Sequence, residues 1–195
     1  MGTTRGRILD AAREVFLRDG LEAFSMRRVA ERSELTVSAL YRHFDSKDAL
    51  LAALVEASFG AFAGALARAL EAPTALGRFR AMLERYFDFA LGHPQDYALM
   101  FLANSRDLGF EKLGAGTRRL LRPSFEFMAA RIEECIEAGV FAPGDCEAKA
   151  TYAWAEAHGL VSLYVGGQLA AATPKQLRAL ASESIELVVR ALRAD

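Results

Sequence analysis

Cysteine, histidine and tryptophan are scarce in this chain of 195 residues, which holds two, three and one of them. Cys135 and Cys146 stand in no CxxC-like spacing, so no disulfide framework and no zinc ligand set is spelled out. Both thiols are expected to stay reduced. His43, His93 and His158 fall at no metal-ligand spacing. The acidic residues form neither an HExxH nor a di-iron Glu-x-x-His pattern. A P-loop, a G-x-S-x-G elbow and a dinucleotide fingerprint are all missing. No enzyme, no metal site and no cofactor is therefore expected.

Charge of one sign is also lacking. The 24 basic and 25 acidic residues leave a net charge of −1. The chain is no polycation, so any nucleic-acid binding must come from local placement of charge. No uninterrupted apolar run reaches the roughly 18 residues of a membrane span, so no membrane partner is expected. The opening Met-Gly-Thr-Thr-Arg-Gly-Arg is followed by no apolar stretch, which argues against a signal peptide and for a cytoplasmic location. Internal repeats and low-complexity tracts are absent.

What is present is helical periodicity. Apolar residues recur at three and four positions rather than at two, and no segment reads as a strand. The expectation is an all-α fold of about nine helices. The first runs over about 4–19, with Ile8, Leu9, Ala12, Val15 and Phe16 in one stripe and Gly20 as its stop. Two short helices follow at about 26–33 and 37–44, capped by Ser25 and Thr36. Phe24 with Val29, and Leu35 with Leu40, stand at hydrophobic-staple positions. A fourth helix starts after Ser46 and runs to about Leu70, before Ala72-Pro73. Five more are expected: about 74–91, one opening at Pro94, about 117–138, 145–165, and a last one after Thr173-Pro174. A looser stretch lies around Gly109, Gly114 and Gly116. Residues 1–50 read as one unit and 51–195 as a second, joined by the fourth helix.

The two short helices with a tight turn at Glu34-Leu35 have the spacing of a helix-turn-helix. Val29, Ala30, Leu35, Leu40 and Phe44 supply the contacts that lock them together. The other face carries Val37, Ser38, Tyr41 and Arg42, which can donate hydrogen bonds or touch thymine methyls in a major groove. No acid occurs from Leu35 to Phe44. Lys47 sits in the first turn of the fourth helix, where the macrodipole disfavours a cation but a phosphate would be clamped.

Residues 8–54, ILDAAREVFLRDGLEAFSMRRVAERSELTVSALYRHFDSKDALLAAL, resemble the N-terminal domain of the TetR family of regulators. Tyr41-Arg42-His43-Phe44 with Lys47 is the most specific part of the likeness. The resemblance implies that Arg27, Ser38 and Arg42 reach bases, and that Ser25, Thr36, Tyr41, His43 and Lys47 contact phosphates. Glu34 is a departure, since the family usually has glycine there.

Tyr152 to Leu160, with Trp154, His158 and Gly159, is similar to the Trp-His-Gly (WHG) subgroup of C-terminal domains in that family. This implies a helical ligand-binding domain. Trp154 and His158 are four apart and share a helix face. They form either a pocket wall or a packed ring with a satisfied histidine. Tyr86, Phe87, Tyr97, Met100, Phe101, Phe125 and Met128 supply the same choice between core and pocket. An apolar or aromatic effector is the expectation. The last two helices read as a homodimer interface: the first is apolar or small nearly all round, and the second carries a stripe from Leu177 to Leu192. The expected protein is a repressor that binds a palindromic operator in double-stranded DNA as a dimer and is released by its effector. The rivals are a constitutive DNA-binding protein and an all-α enzyme.

Overall fold

Nine α-helices account for the secondary structure of residues 3–102, 114–169 and 173–194, which the computed structural model describes. Helices α1 (Thr4–Ala23), α2 (Met26–Ser33) and α3 (Val37–Tyr41) precede the long α4 (Lys47–Ala67), which a 3-10 turn (Arg68–Glu71) extends. Then come α5 (Ala75–Gly92), the single turn of α6 (Pro94–Tyr97) and a π-wound stretch (Ala98–Leu102). Helices α7 (Gly114–Glu137), α8 (Cys146–Val165) and α9 (Pro174–Leu192) complete the order. The all-α expectation holds. Gly109, in the stretch read as loose, lies outside the described residues, whereas Gly114 and Gly116 belong to α7.

Side-chain caps fix where most of these helices begin. Ser25, Thr36, Ser46, Thr74, Asp145 and Thr173 each accept a backbone N–H of the first turn. Each such cap is worth about 1 kcal/mol over alanine. Thr173 and Gln176 close a full capping box. At the far end of α7, Gly139 takes a left-handed φ of 68°, and Val140 N–H returns to the Cys135 carbonyl. Glycine takes this conformation without a steric cost and so ends the helix there.

One boundary holds and two differ from expectation. Gly20 breaks α1 as expected: at φ 70° and ψ −177° it leaves helical geometry, and a short further turn reaches Ala23. Beside this corner Asp19 is gripped by Arg18 at 2.8 Å and Arg28 at 2.7 Å, and these bonds hold its carboxyl well below the usual range. Helix α3 stops at Tyr41 because the His43 and Phe44 N–H groups both return to the Leu40 carbonyl. Helix α7 begins at Gly114 rather than near residue 117, and Pro123 lies within it.

The buried apolar residues form one continuous cluster from Ile8 to Leu192. Helix α4 is its spine. Leu50, Leu51, Leu54 and Val55 are buried in its first half, and Phe59, Phe62 and Leu66 in its second. It packs on α1 at one end and on α5 and α7 further along. The segment Lys47–Glu71 is long and apolar enough to cross a membrane by length and composition, with a mean hydropathy of 1.8. The expectation drawn from uninterrupted runs missed this segment. Leu50, Leu54, Phe59, Phe62 and Leu66 have partners within the fold, and 44% of the segment's most apolar window is buried there.

Candidate functional site

In α2 the side chains alternate sharply between core and solvent. Met26, Val29, Ala30 and Ser33 are buried against the chain, while Arg27, Arg28, Glu31 and Arg32 are exposed. Helix α3 buries Ala39 and Leu40 and leaves Val37, Ser38, Tyr41, Arg42 and His43 outside. Val37 is 37% exposed and Tyr41 50%, which is unusual for large apolar side chains with no partner in the fold. Phe44, 4% exposed, anchors the end of this unit beneath the Arg5 guanidinium, 5.0 Å from its ring centre.

All nine residues expected to face DNA lie on or beside these two helices and the start of α4. Thr36 Oγ1 accepts the Ala39 N–H at 3.1 Å, which leaves its own O–H to donate outward. Ser25 does the same for Arg28 N–H at 3.3 Å and is half-buried. Arg42 forms no ion pair among the described residues, whereas Arg27 Nε donates to Glu31 Oε1 at 3.0 Å. That pair is largely exposed and spans one helical turn, so it is worth only about 0.3–0.5 kcal/mol and yields readily to a phosphate. Lys47 Nζ stands 5.8 Å from the Phe24 ring centre, at the first turn of α4. The acid-free run is bounded by exposed Asp45 and Asp48, so the cationic surface is narrow.

Glu34 is the single non-glycine residue with positive φ among those described, at φ 56° and ψ 38°. The turn keeps its left-handed form without glycine. Its N–H still reaches the Ala30 and Glu31 carbonyls. A left-handed L-residue costs about 1–2 kcal/mol. Glu34→Gly relieves this strain but adds about 0.5–1 kcal/mol of unfolded-chain entropy. The variant is expected to be more stable by about 0.5–1 kcal/mol, with a melting midpoint higher by about 1–4 °C in calorimetry. A midpoint at or below that of the parent chain would mean that the turn is unstrained.

A second cluster forms where α4, α5, α6, α7 and α8 converge. Tyr86 and Tyr97 are buried, with hydroxyls 3.1 Å apart. Tyr97 Oη and His158 Nδ1 share a hydrogen bond of 2.6 Å. Burial pushes both phenols above their ordinary value and lowers the imidazole, so all three groups are neutral at neutral pH. The rings of Phe62, Phe101 and Trp154 close around them: Phe62–Tyr86 is 5.4 Å, Phe101–His158 5.4 Å and Trp154–His158 5.3 Å between centres.

Phe62, Leu66, Tyr86, Ser124, Phe125 and Trp154 line a cavity of about 20 Å³. That holds about one water, against roughly 300–1,000 Å³ for an ordinary ligand site. Ser124 Oγ is buried at this wall without a hydrogen-bond partner. Of the side chains expected to line a pocket, Tyr86, Phe125 and Trp154 form this wall, and Tyr97, Phe101 and His158 pack beside it. Met100 and Met128 are core residues outside that wall. Phe87 turns toward Ala181 and Ile185 of α9. Sequence reading missed Phe59, Phe62 and Leu66, whose three- and four-residue spacing on α4 was the available signal.

The geometry defines a class: a helix-turn-helix with an exposed second helix, carried on a helical bundle with an aromatic centre. Residues 8–54 match the family model of the bacterial regulatory proteins of the tetR family, and residues 79–192 that of the tetracyclin repressor-like C-terminal domain. The chain belongs to the TetR family of DNA-binding bacterial transcriptional regulators. The Trp-His-Gly subgroup finds no support in these matches. Among its relatives, the HTH-type transcriptional activator FasR of Mycolicibacterium smegmatis is 36% identical over 98 residues, or 50% of this chain and 45% of FasR. The chain thus matches less than half the length of that relative. A protein with unknown function from Rhodococcus sp. RHA1 is 28% identical, with a TM-score of 0.78 over 100% of this chain and 97% of its own. FadR from Bacillus subtilis, solved in complex with stearoyl-CoA, shares the fold at 18% identity. Its TM-score is 0.80, over 96% of this chain and 99% of its own.

Proposed function

We propose that this chain is a repressor that binds a palindromic operator as a homodimer and is released by an apolar or aromatic effector. The observation that carries the DNA-binding part is the exposed, acid-free face of α3, with Val37, Ser38, Tyr41 and Arg42 outside and no ion pair to Arg42 among the described residues. In this reading residues 1–50 hold the operator, and residues 51–195 sense and dimerise. Arg27, Ser38 and Arg42 reach base edges. Ser25, Thr36, Tyr41, His43 and Lys47 hold phosphates, and Val37 meets a thymine methyl. Two half-sites about one DNA turn apart, roughly 34–36 Å, require two-fold symmetry of the protein.

The effector part rests on the ring cluster. The present cavity of about 20 Å³ is too small, so an effector must part Phe62, Tyr86, Phe125 and Trp154. An apolar chain suits such a wall, and Ser124 Oγ offers it one polar contact. The stearoyl-CoA held by the FadR of the same fold makes long-chain acyl-CoA the first probe. An effector acts only through different affinity for two arrangements of the protein. Repression is the preferred reading, since a dimer across two half-sites would occlude the DNA beneath it. FasR carries the name of an activator, so a reporter assay decides the sign. Action on DNA places the protein in the cytoplasm.

The test starts from a duplex selected in vitro by the full chain. Arg42→Ala is expected to weaken binding to it by about 1–3 kcal/mol, or roughly 5- to 150-fold, in fluorescence anisotropy. Stearoyl-CoA is expected to release the parent chain from the same duplex. An unchanged titration for the variant removes Arg42 from the interface. Indifference to every acyl-CoA and aromatic probe favours the constitutive binder.

A further inference from the structure

We propose that Asp96 is the positioning residue that sets how the helix-turn-helix unit sits on the remainder of the chain. The inference rests on the reading that the chain grips two half-sites as a dimer. Asp96 lies on the single turn of α6 and is 7% exposed. Its Oδ1 accepts the Ser58 hydroxyl of α4 at 2.6 Å and lies 2.9 Å from Arg13 Nε of α1, an ion pair without hydrogen-bond alignment. Its Oδ2 faces His93 Nδ1 at 3.8 Å. One buried carboxylate thus joins α1, α4 and α6. Among the ion pairs of the described residues, Arg13–Asp96 alone links α1–α3 to the helices beyond α4. A carboxylate this deep cannot lose its cation cheaply, so the pair resists any rotation of α1 over α6.

The next residue fixes the other side of the same turn. Tyr97 is held by His158 of α8 and Tyr86 of α5. Neighbouring side chains on one short turn therefore pull toward the DNA-binding unit and toward the aromatic cluster. Asp96 itself touches no DNA; it acts through Arg13 on the orientation of α1, against which α2 packs.

Orientation has its own readout, the spacing of half-sites. Inserting or deleting one base pair turns a half-site by about a tenth of a turn. The selected duplex and its two spacing variants are titrated with full-length protein by fluorescence anisotropy. The parent chain is expected to prefer the selected spacing by about tenfold or more. Asp96→Asn, and independently Arg13→Gln, are expected to cut that preference at least about fivefold, on the scale of a lost charged contact. Selection with either variant is expected to return the same half-site bases, and the double variant should lose nothing further. Arg13 is half-buried, and its neutral variant leaves the Ser58–Asp96 bond in place, so it keeps the test open if the aspartate variant fails to fold. A common loss of affinity on all three duplexes would mark a merely structural pair and overturn the inference, and so would an undiminished preference. A parent chain that selects no paired half-sites overturns the dimer reading itself, and this inference with it.

Discussion

Leu187→Glu is expected to turn the proposed dimer into a monomer and to weaken operator binding by about 10²–10⁴-fold, the advantage that a second linked half-site confers. The argument starts from exposed apolar area. Tyr152 and Leu163 on α8 and Leu180 and Leu187 on α9 are 48%, 47%, 41% and 48% exposed. Together with Val37 and Tyr41 of α3 they make up most of the large apolar side chains left in solvent among the described residues. The core stripe of α9 (Leu177, Ala181, Ile185, Val188, Leu192) is already satisfied within the chain. The exposed row is a separate face with no partner in one chain. In the proposed two-fold dimer a carboxylate in this row is buried against the partner at two symmetry-related places, so its desolvation, several kcal/mol, is incurred twice. Because Leu187 is 48% exposed and lies outside the core cluster, the monomer should stay folded. Sedimentation velocity reads the assembly, and anisotropy reads the affinity. A variant that sediments as the parent does and binds equally well would locate the dimer contact elsewhere.

The second large effect is on stability. Phe62→Ala is expected to destabilise the fold by about 3–5 kcal/mol and to lower the melting midpoint by on the order of 10 °C. Phe62 is 2% exposed, at the centre of α4. Its ring meets Tyr86, Phe89 and Phe101 edge-on at 5.4, 5.2 and 5.9 Å. Such pairs add about 0.5–1.5 kcal/mol beyond the area they bury. Removing the ring also enlarges the cavity that Phe62 lines, and a void with rigid walls has a cost of its own. Urea unfolding measures the change. A loss under about 1 kcal/mol would mean that the walls collapse inward, a pliable cluster rather than a packed one.

Much of this was legible in the residues. Ser25, Thr36, Ser46 and Thr173 announced helix starts because a capping side chain is a local, one-turn device. The helix-turn-helix followed from two caps and a short gap. The exact end of α3 was not readable, since the return of two N–H groups to Leu40 depends on how Phe44 is drawn into the core. The aromatic centre was half legible. Tyr86, Tyr97 and His158 were found by type, but α4 is apolar nearly all round, and no polar face told which way Phe62 turns. Asp96 was invisible for a different reason. Its partners Arg13 and Ser58 are close only after folding, and a lone acid in a Pro-Gln-Asp-Tyr turn looks like an ordinary surface residue. The expected pocket lining divided in the same way: side-chain chemistry names candidates, but packing decides which of them meet.

The bond from Arg27 to Glu31 changes how the DNA-bound state would answer to salt. A cation that is bare in solution sheds condensed counterions from DNA when it docks, and each such contact steepens the dependence of affinity on ionic strength. Arg27 comes already neutralised by its own chain. Docking it on a base edge exchanges the carboxylate for a neutral acceptor and leaves Glu31 to gather a cation from solution. The count of ions released is therefore smaller than the count of arginines engaged. An interface of this kind keeps more of its grip as ionic strength rises than its basic residues alone would suggest.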